Sequence, residues 1–439
     1  MTDFKDLKHV KDLSHEIERL SAQRELWPNF NPLTIPLAFY DGNNTYLFRY
    51  PGIPEGFTEL KDKECDALFF SGRHPTVIAS SIVNIEGTLS ASLLIDKSHS
   101  RQTTTELASL AIHEAFHVFQ AEGHPDWQAD IGTLFLYPVE DEQLLALRRI
   151  ETEALRLALT TDDIQEKRSW ARRALNARNN RYDRMDADLS SFERKGELHE
   201  GLATYIESLS VERKTVDLPK NGYRADNVRG RFYQVGHALA VLLDTFAPTW
   251  KTEFETNDAQ SLDLYLGVTL EKEGEQSLHI DFTQSEIANF EKTASEDARK
   301  LINERSERKR IFDSRSGVRF SVVTSSTAPL RVNGIDPSNA LIIDGGVLHT
   351  RYIKLRHEKG QIEMLTLLND GVEAMTEAAG SHPLYSGFTK LIVVGLNNIA
   401  VKTDGGSVSV ESDGLSAYFE KARVDKSDTH ITIYLNNQA

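Results

Sequence analysis

The chain has 439 residues, 40% of them hydrophobic and one of them cysteine, with a formal net charge of −16. That length and apolar content can bury a large core and suggest two or three domains. The acidity argues against nucleic-acid binding through the bulk surface, the lone Cys65 rules out an intrachain disulfide and a multi-thiolate metal site, and no apolar run approaches the length of a membrane span.

Met1 to Lys11 lacks the apolar core of a signal peptide, which gives a cytoplasmic expectation, or a secreted or periplasmic one if residues preceded Met1. Residues 3–22 carry Leu7, Val10, Leu13, Ile17 and Leu20 at helical spacing and predict an amphipathic helix. Strand-like runs follow at Pro36 to Tyr40, Thr45 to Tyr50, Ala67 to Phe70, Thr76 to Asn84 and Gly87 to Asp96. The last two flank a short turn and predict a hairpin. A sheet at this place can offer an edge strand to an extended peptide.

Thr103 and Glu106 then form a T-x-x-E capping box, and Gly123 with His124-Pro125 closes the helix it opens. Inside that helix His113-Glu114-Ala115-Phe116-His117 matches H-E-x-x-H. Two histidines four apart share one helix face, so both imidazoles can reach one metal. Glu114 is offset around the helix, where it can act as base toward a water rather than as a ligand. Two buried histidines and a glutamate without partners would be costly.

A catalytic metal site usually takes three protein ligands. Glu200, followed by Gly201 and the apolar Leu202, Tyr205, Ile206 and Leu209, is the preferred third ligand. Glu151 and Glu153, in the amphipathic pattern Glu140 to Leu159, compete for that role; their alternative is a charged face pairing with Arg148, Arg149 and Arg156. The alternative for Glu200 is a solvated stripe with Glu193, Glu197 and Glu207, and the basic stretch Arg172, Arg173, Arg178, Arg181 and Arg184 reads as a solvated helix face or, alternatively, as a site for a substrate carboxylate. Tyr233 and His237, four apart on a later helix, could each donate to a developing oxyanion, or could equally be bonded core groups. Asp244 is a candidate for orienting a ligand histidine.

A charged run, Glu304 to Arg310, ends the mostly helical residues 101–305. Beyond it come short strand-like runs at Val318 to Val323, Leu330 to Gly334, Ala340 to Asp344, His349 to His357, Gln361 to Leu368, Lys390 to Asn397, Ser407 to Ser412 and His430 to Leu435. Gly and Asp/Asn turns separate them, which predicts a β-sandwich.

His113 to His117 followed by Glu200-Gly201-Leu202-Ala203-Thr204-Tyr205 resembles the gluzincin superfamily of zinc metallopeptidases, whose members join H-E-x-x-H to a glutamate on a later helix. The segment Tyr233 to Asp244 is similar to the helix that follows in the peptidase MA-like branch. The path from His117 to Glu200 is longer than in thermolysin-like members, so the intervening helices would be an insertion, and the aminopeptidase motif G-x-M-E-N is missing. The resemblance implies one zinc per chain held by His113, His117 and Glu200, and a peptide or protein substrate. Glu114 would serve as general base, and Tyr233 or His237 would assist at the oxyanion.

The expected architecture is α+β. Residues 1–100 and 101–310 would form a gluzincin-like catalytic core, and 315–439 a β-sandwich-like domain. Two other readings of the same residues are a catalytically silent, zinc-stabilised binding protein and a hydrolase of a non-peptide amide.

Overall fold

Apolar residues at helical spacing build the first helix, α1 (Lys8–Ala22), which buries Val10, Leu13, Ile17 and Leu20. The computed structural model of the chain describes residues 7–60, 65–95, 102–256, 261–272, 280–366 and 371–436. Residues 3–6 of the predicted first helix, Asp96 at the end of the predicted hairpin, and 367–368 of a predicted strand lie outside them.

Among the described residues the strands that follow are β1 (Leu37–Tyr40), β2 (Thr45–Phe48), β3 (Thr58–Glu59), β4 (Ala67–Phe70), β5 (Ser81–Ile85) and β6 (Thr88–Leu94). They form one sheet in the order β3-β4-β2-β1-β6-β5. The predicted hairpin is β5–β6, paired antiparallel from Ser81↔Ser92 to Ile85↔Thr88. Its turn puts Glu86 and Gly87 at φ 44° and 92°, the left-handed region that tight hairpin turns require. Of the predicted run Thr76 to Asn84, residues before Ser81 are turn and bend.

The helices are α2 (Thr104–Gly123), α3 (Glu142–Thr160), α4 (Ile164–Tyr182), α5 (Ala187–Gly196), α6 (Leu202–Ser210), α7 (Val228–Phe246), α8 (Trp250–Glu255), α9 (Leu262–Lys272) and α10 (Gln284–Asp313). Helix α2 packs on β5, β6, α1 and α6. A π-turn, Glu197–Gly201, links α5 to α6 without a break in the helical path. Among the described residues no helix is long and apolar enough to cross a membrane.

Among the described residues the strands after α10 are β7 (Val318–Val323), β8 (Arg331–Ile335), β9 (Ala340–Ile343), β10 (Gly346–His349), β11 (Tyr352–His357), β12 (Gly360–Leu365), β13 (Glu373–Ala378), β14 (Phe388–Leu396), β15 (Ile399–Asp404), β16 (Ser407–Ser412), β17 (Leu415–Phe419), β18 (Arg423–Lys426) and β19 (His430–Tyr434). Two sheets result, ordered β18-β19-β7-β14-β13-β10-β9 and β15-β16-β17-β12-β11-β8. Phe320, Val322, Leu391 and Val393 of the first share one core with Leu355, Ile362, Val410 and Phe419 of the second, so the expected sandwich is present. Ile392 and Val394, which alternate with Val393, face outward onto Phe312 of α10. The single run His349 to His357 is two strands: the chain leaves one sheet after His349 and enters the other at Tyr352.

The chain is α+β, in two compact units. One comprises Met1–Ala129 and Ala146–Glu291, the other Asp130–Leu145 and Lys292–Ala439. The division differs from the sequence-based one in giving Asp130–Leu145 and much of α10 to the β-rich unit. Phe135, in a 3-10 turn at Ile131–Leu136, packs into the sandwich core, and Arg305 of α10 ion-pairs with Glu140.

One buried residue of the sandwich should make its stability fall in acid. His349 is fully buried with Nε2 3.0 Å from Thr376 Oγ1, and burial lowers its pKa from 6.5 to about 3. Between those values the unfolded chain binds a proton that the folded chain does not. This stability is therefore present above pH 6.5 and is lost as pH falls toward 3. Urea unfolding at pH 7 and pH 4 should show a loss of about 3 kcal/mol traceable to this residue, and His349→Gln should remove that part of the pH dependence.

Candidate metal centre

The capping box fixes where α2 begins: Thr103 Oγ1 accepts from the Glu106 N–H at 3.2 Å, and Glu106 accepts from the Thr103 N–H at 2.7 Å. That start sets the phase of the helix and turns His113, Glu114 and His117 into the interior, where all three are buried. The third group arrives from the π-turn. A π-turn holds one more residue than the α-helical path needs and shifts the side chains after it, a device found often at functional sites. Here it carries His199 and Glu200.

His113, His117 and Glu200 converge, each offering one ligand atom, all within 4.8 Å of one another. His117 Nε2 lies 3.1 Å from His113 Nε2 and 3.4 Å from Glu200 Oε2; His113 Nε2 lies 4.0 Å from the same oxygen. The outward ring nitrogens are also engaged. His117 Nδ1 is 2.9 Å from Gln120 Oε1. The Gln120 amide nitrogen donates to the carbonyls of Leu198 and His199, so its oxygen must be the atom that accepts from His117. His113 Nδ1 lies 3.3 Å from Glu207 Oε2, an ion-pair contact without hydrogen-bond alignment. The carboxylate charge holds the ring proton on Nδ1 there too.

Each ring then turns its Nε2 toward the same spot. The two Nε2 atoms, 3.1 Å apart with a carboxylate oxygen 3.4 Å away, are grouped as the ligands of one cation would be. The donor set therefore fits a metal ion, with Gln120 and Glu207 fixing the tautomers of its histidine ligands.

Burial by itself would lower His113, but Glu207 and then Glu114 and Glu200 outweigh it and raise its pKa. Burial would raise Glu200, but His117, with His199 and His113, pulls it well below the usual carboxylate range. Glu114 is raised, because burial outweighs the attraction of His113 and His117. The His199 ring stacks 4.1 Å from that of His117, and burial with the neighbouring His117 lowers it to about 3, leaving it neutral.

Tyr233 of α7 lies at the centre, its ring parallel to that of His113 at 6.2 Å. Burial and the Glu200 charge raise its pKa, so its hydroxyl stays a donor at neutral pH. One turn earlier, Arg229 Nη2 donates to Glu200 Oε1 at 3.2 Å. His237 sits one turn later, buried against the Tyr205 ring at 6.1 Å and lowered to about 4 by burial.

Several sequence-based expectations are corrected. Asp244 does not orient a ligand; it accepts from the Tyr205 hydroxyl and from Trp250 Nε1. Glu151 and Glu153 are not ligands: Glu153 pairs with Arg156 in the predicted helix-face manner, and Glu151 binds Arg178, Arg181 and Arg231. The acidic stripe is not a solvated face, and Arg178 and Arg181 of the basic stretch are buried, while Arg184 is exposed as expected. Glu193 and Glu197 are buried with Arg178, Arg181 and Arg231 as a cluster of opposite charges, and Glu200 and Glu207 face the histidines. Amphipathic patterning could not show this, because acidic and basic faces on different helices cover each other.

Sequence reading missed Gln120, His199, Glu207 as a histidine partner, and Arg229. Helical spacing carried a signal for three of them: Gln120 is three past His117, Glu207 is seven past Glu200, and Arg229 is four before Tyr233.

The two helical elements meet glycine to glycine. A Cβ on Gly236 would lie 2.5 Å from the Glu197 carbonyl oxygen and 2.7 Å from Gly201 Cα. This close approach brings Tyr233 and Arg229 beside Glu200. Gly236→Ala should force the elements apart, at a cost of about 1–3 kcal/mol in stability, and should weaken metal binding as Glu200 shifts. Unchanged metal affinity in a folded Gly236→Ala protein would show that the crossing does not set the site.

Comparison with family models, curated proteins and solved structures finds no match to this chain.

Proposed function

We propose that this chain is a zinc-dependent peptidase with a gluzincin-like core. One observation carries the reading: two imidazole nitrogens and a carboxylate oxygen converge on one point, and a fourth group, Glu114, is buried next to them on the helix that carries both histidines. A purely structural site needs no buried carboxylate beyond its ligands. Zinc bound by His113, His117 and Glu200 supplies Lewis-acid polarisation of a water and a carbonyl.

The rest is done by side chains of this chain. Glu114 takes a proton from the attacking water and delivers one to the leaving amine. The Tyr233 hydroxyl donates to the oxygen on which negative charge develops; His237, the other candidate, lies a turn deeper against Tyr205. Arg229 holds the far oxygen of Glu200 and so fixes its rotamer. Strand β5, an edge strand beside α2, offers backbone groups to an extended peptide.

The test is elemental analysis and hydrolysis on the full chain. Zinc should bind at about one per chain, and His113→Ala and Glu200→Ala should each lose most of it. A mixed peptide library followed by mass spectrometry should show cleavage. No metal uptake from supplied zinc would end the reading. Zinc uptake with no hydrolysis of peptides, while Glu114 is intact, would favour the silent binding protein or an amide other than a peptide as substrate.

A further inference from the structure

The outer face of the six-stranded sheet carries a charge arrangement that the fold does not need. Strand β8 is an edge strand, paired with β11. Their register sets Arg331 directly opposite Arg356 and Val332 opposite Leu355. Val332 and Leu355 pack into the sandwich core, so both arginines project from the other face. Like charges directly opposite destabilise an antiparallel pair. The neighbouring β11–β12 pair shows the usual solution, Lys354 opposite Glu363 at 2.6 Å. Among the described residues, neither Arg331 nor Arg356 has such a carboxylate partner.

Each guanidinium is instead tethered by a neutral acceptor. Arg331 Nη1 donates to the Tyr385 carbonyl at 3.1 Å, and Arg356 Nη2 donates to Asn333 Oδ1 at 2.7 Å. The register slips between Lys354 and Leu355, which makes Asn333 the extra residue of a β-bulge. Bulges re-aim side chains and are common beside binding sites. Arg331, Asn333 and Arg356 line a cleft of about 320 Å³, with Pro329, His357 and Glu358. His357 is a neutral wall: its Nδ1 accepts from the Lys359 N–H at 3.1 Å, and its Nε2 lies 3.0 Å from the Ala328 carbonyl. Two guanidinium charges against the single carboxylate of Glu358 leave the cleft cationic, on a chain of net charge −16.

We propose that this cleft binds a phosphate group, either free phosphate or a phosphomonoester. Two guanidinium forks, each held by one bond and each with further N–H donors, suit the several oxygens and double charge of that group. A bound phosphate would also relieve the repulsion between the two facing arginines.

The full chain, treated with chelator so that phosphate cannot act at the metal centre, is titrated with inorganic phosphate at constant ionic strength against chloride. Calorimetry and thermal unfolding should show phosphate-specific binding and a raised Tm. R331Q and R356Q should each weaken it by roughly tenfold, the loss of one charge-assisted contact. Arg356→Lys should fall between, keeping the charge but not the fork. All three sit on exposed positions, and circular dichroism confirms that the sheet persists. Tighter binding of O-phosphoserine than of phosphate assigns the cleft to phosphorylated ligands; the reverse assigns it to the free ion. A response equal to that of chloride, or one unchanged in the R331Q/R356Q double variant, would overturn the proposal.

Discussion

Glu114→Gln is expected to leave the zinc content of the full chain unchanged and to lower kcat/KM for peptide hydrolysis by about 10²–10⁴-fold, the usual contribution of a positioned general base. The amide keeps the shape of the carboxylate, so the packing of α2 around this buried residue is preserved. It cannot accept a proton from water or return one to the leaving amine. The metal ligands are untouched, because the convergent atoms belong to His113, His117 and Glu200. Loss of zinc along with activity would make Glu114 a structural support instead. Activity retained within a few fold would remove it from the mechanism.

Arg178→Met should cost about 3–5 kcal/mol, the range for breaking a buried ion pair by removing one partner. Arg178 is 1% exposed and donates to Glu197 through both terminal nitrogens at 2.7 Å and to Glu151 through Nε at 2.9 Å. Burial would raise Glu151, but Arg178, Arg231 and Arg181 together lower it to about 2, and in the variant it keeps Arg181 and Arg231. Glu197 keeps only the longer contact to Arg231 at 3.5 Å; burial already raises its pKa, and without Arg178 it is left buried and poorly paired, whether charged or forced to take up a proton.

The consequence reaches the metal centre, since Glu197 is the first residue of the π-turn that carries Glu200. Urea unfolding with zinc titration should therefore show weaker zinc binding beside the stability loss. Pairing Arg178→Met with Glu197→Leu should recover much of the stability, because both charges are then gone. A single variant as stable as the parent would show that the cluster contributes nothing net.

Local rules carried a large part of this protein into its sequence. The T-x-x-E box set the start of α2, and with it the shared face of His113 and His117, because a capping box involves residues three apart. Alternation and a turn with left-handed backbone set the β5–β6 hairpin, and the change of texture after α10 gave the sandwich. Glu200 was legible for a similar reason: a carboxylate followed by glycine at the head of an apolar helix is an unusual local pattern.

What the tertiary structure decided is everything that depends on one surface meeting another. The acidic stripe on α5 and the basic face of α4 look solvated when each is taken alone, yet Glu193, Glu197, Arg178 and Arg181 neutralise one another in the interior. Asp244 and Glu207 are equally plausible partners for a histidine in sequence; only the packing of α6 against α2 brings Glu207 to His113, while Asp244 caps Tyr205. The π-turn and the Gly201–Gly236 contact have no periodic signature, because they answer to the distance between two backbones. Periodicity fixes which face of an element is apolar. Which polar groups end up facing each other is set by long-range packing, and in this chain that is what brings Glu200 to His113 and His117.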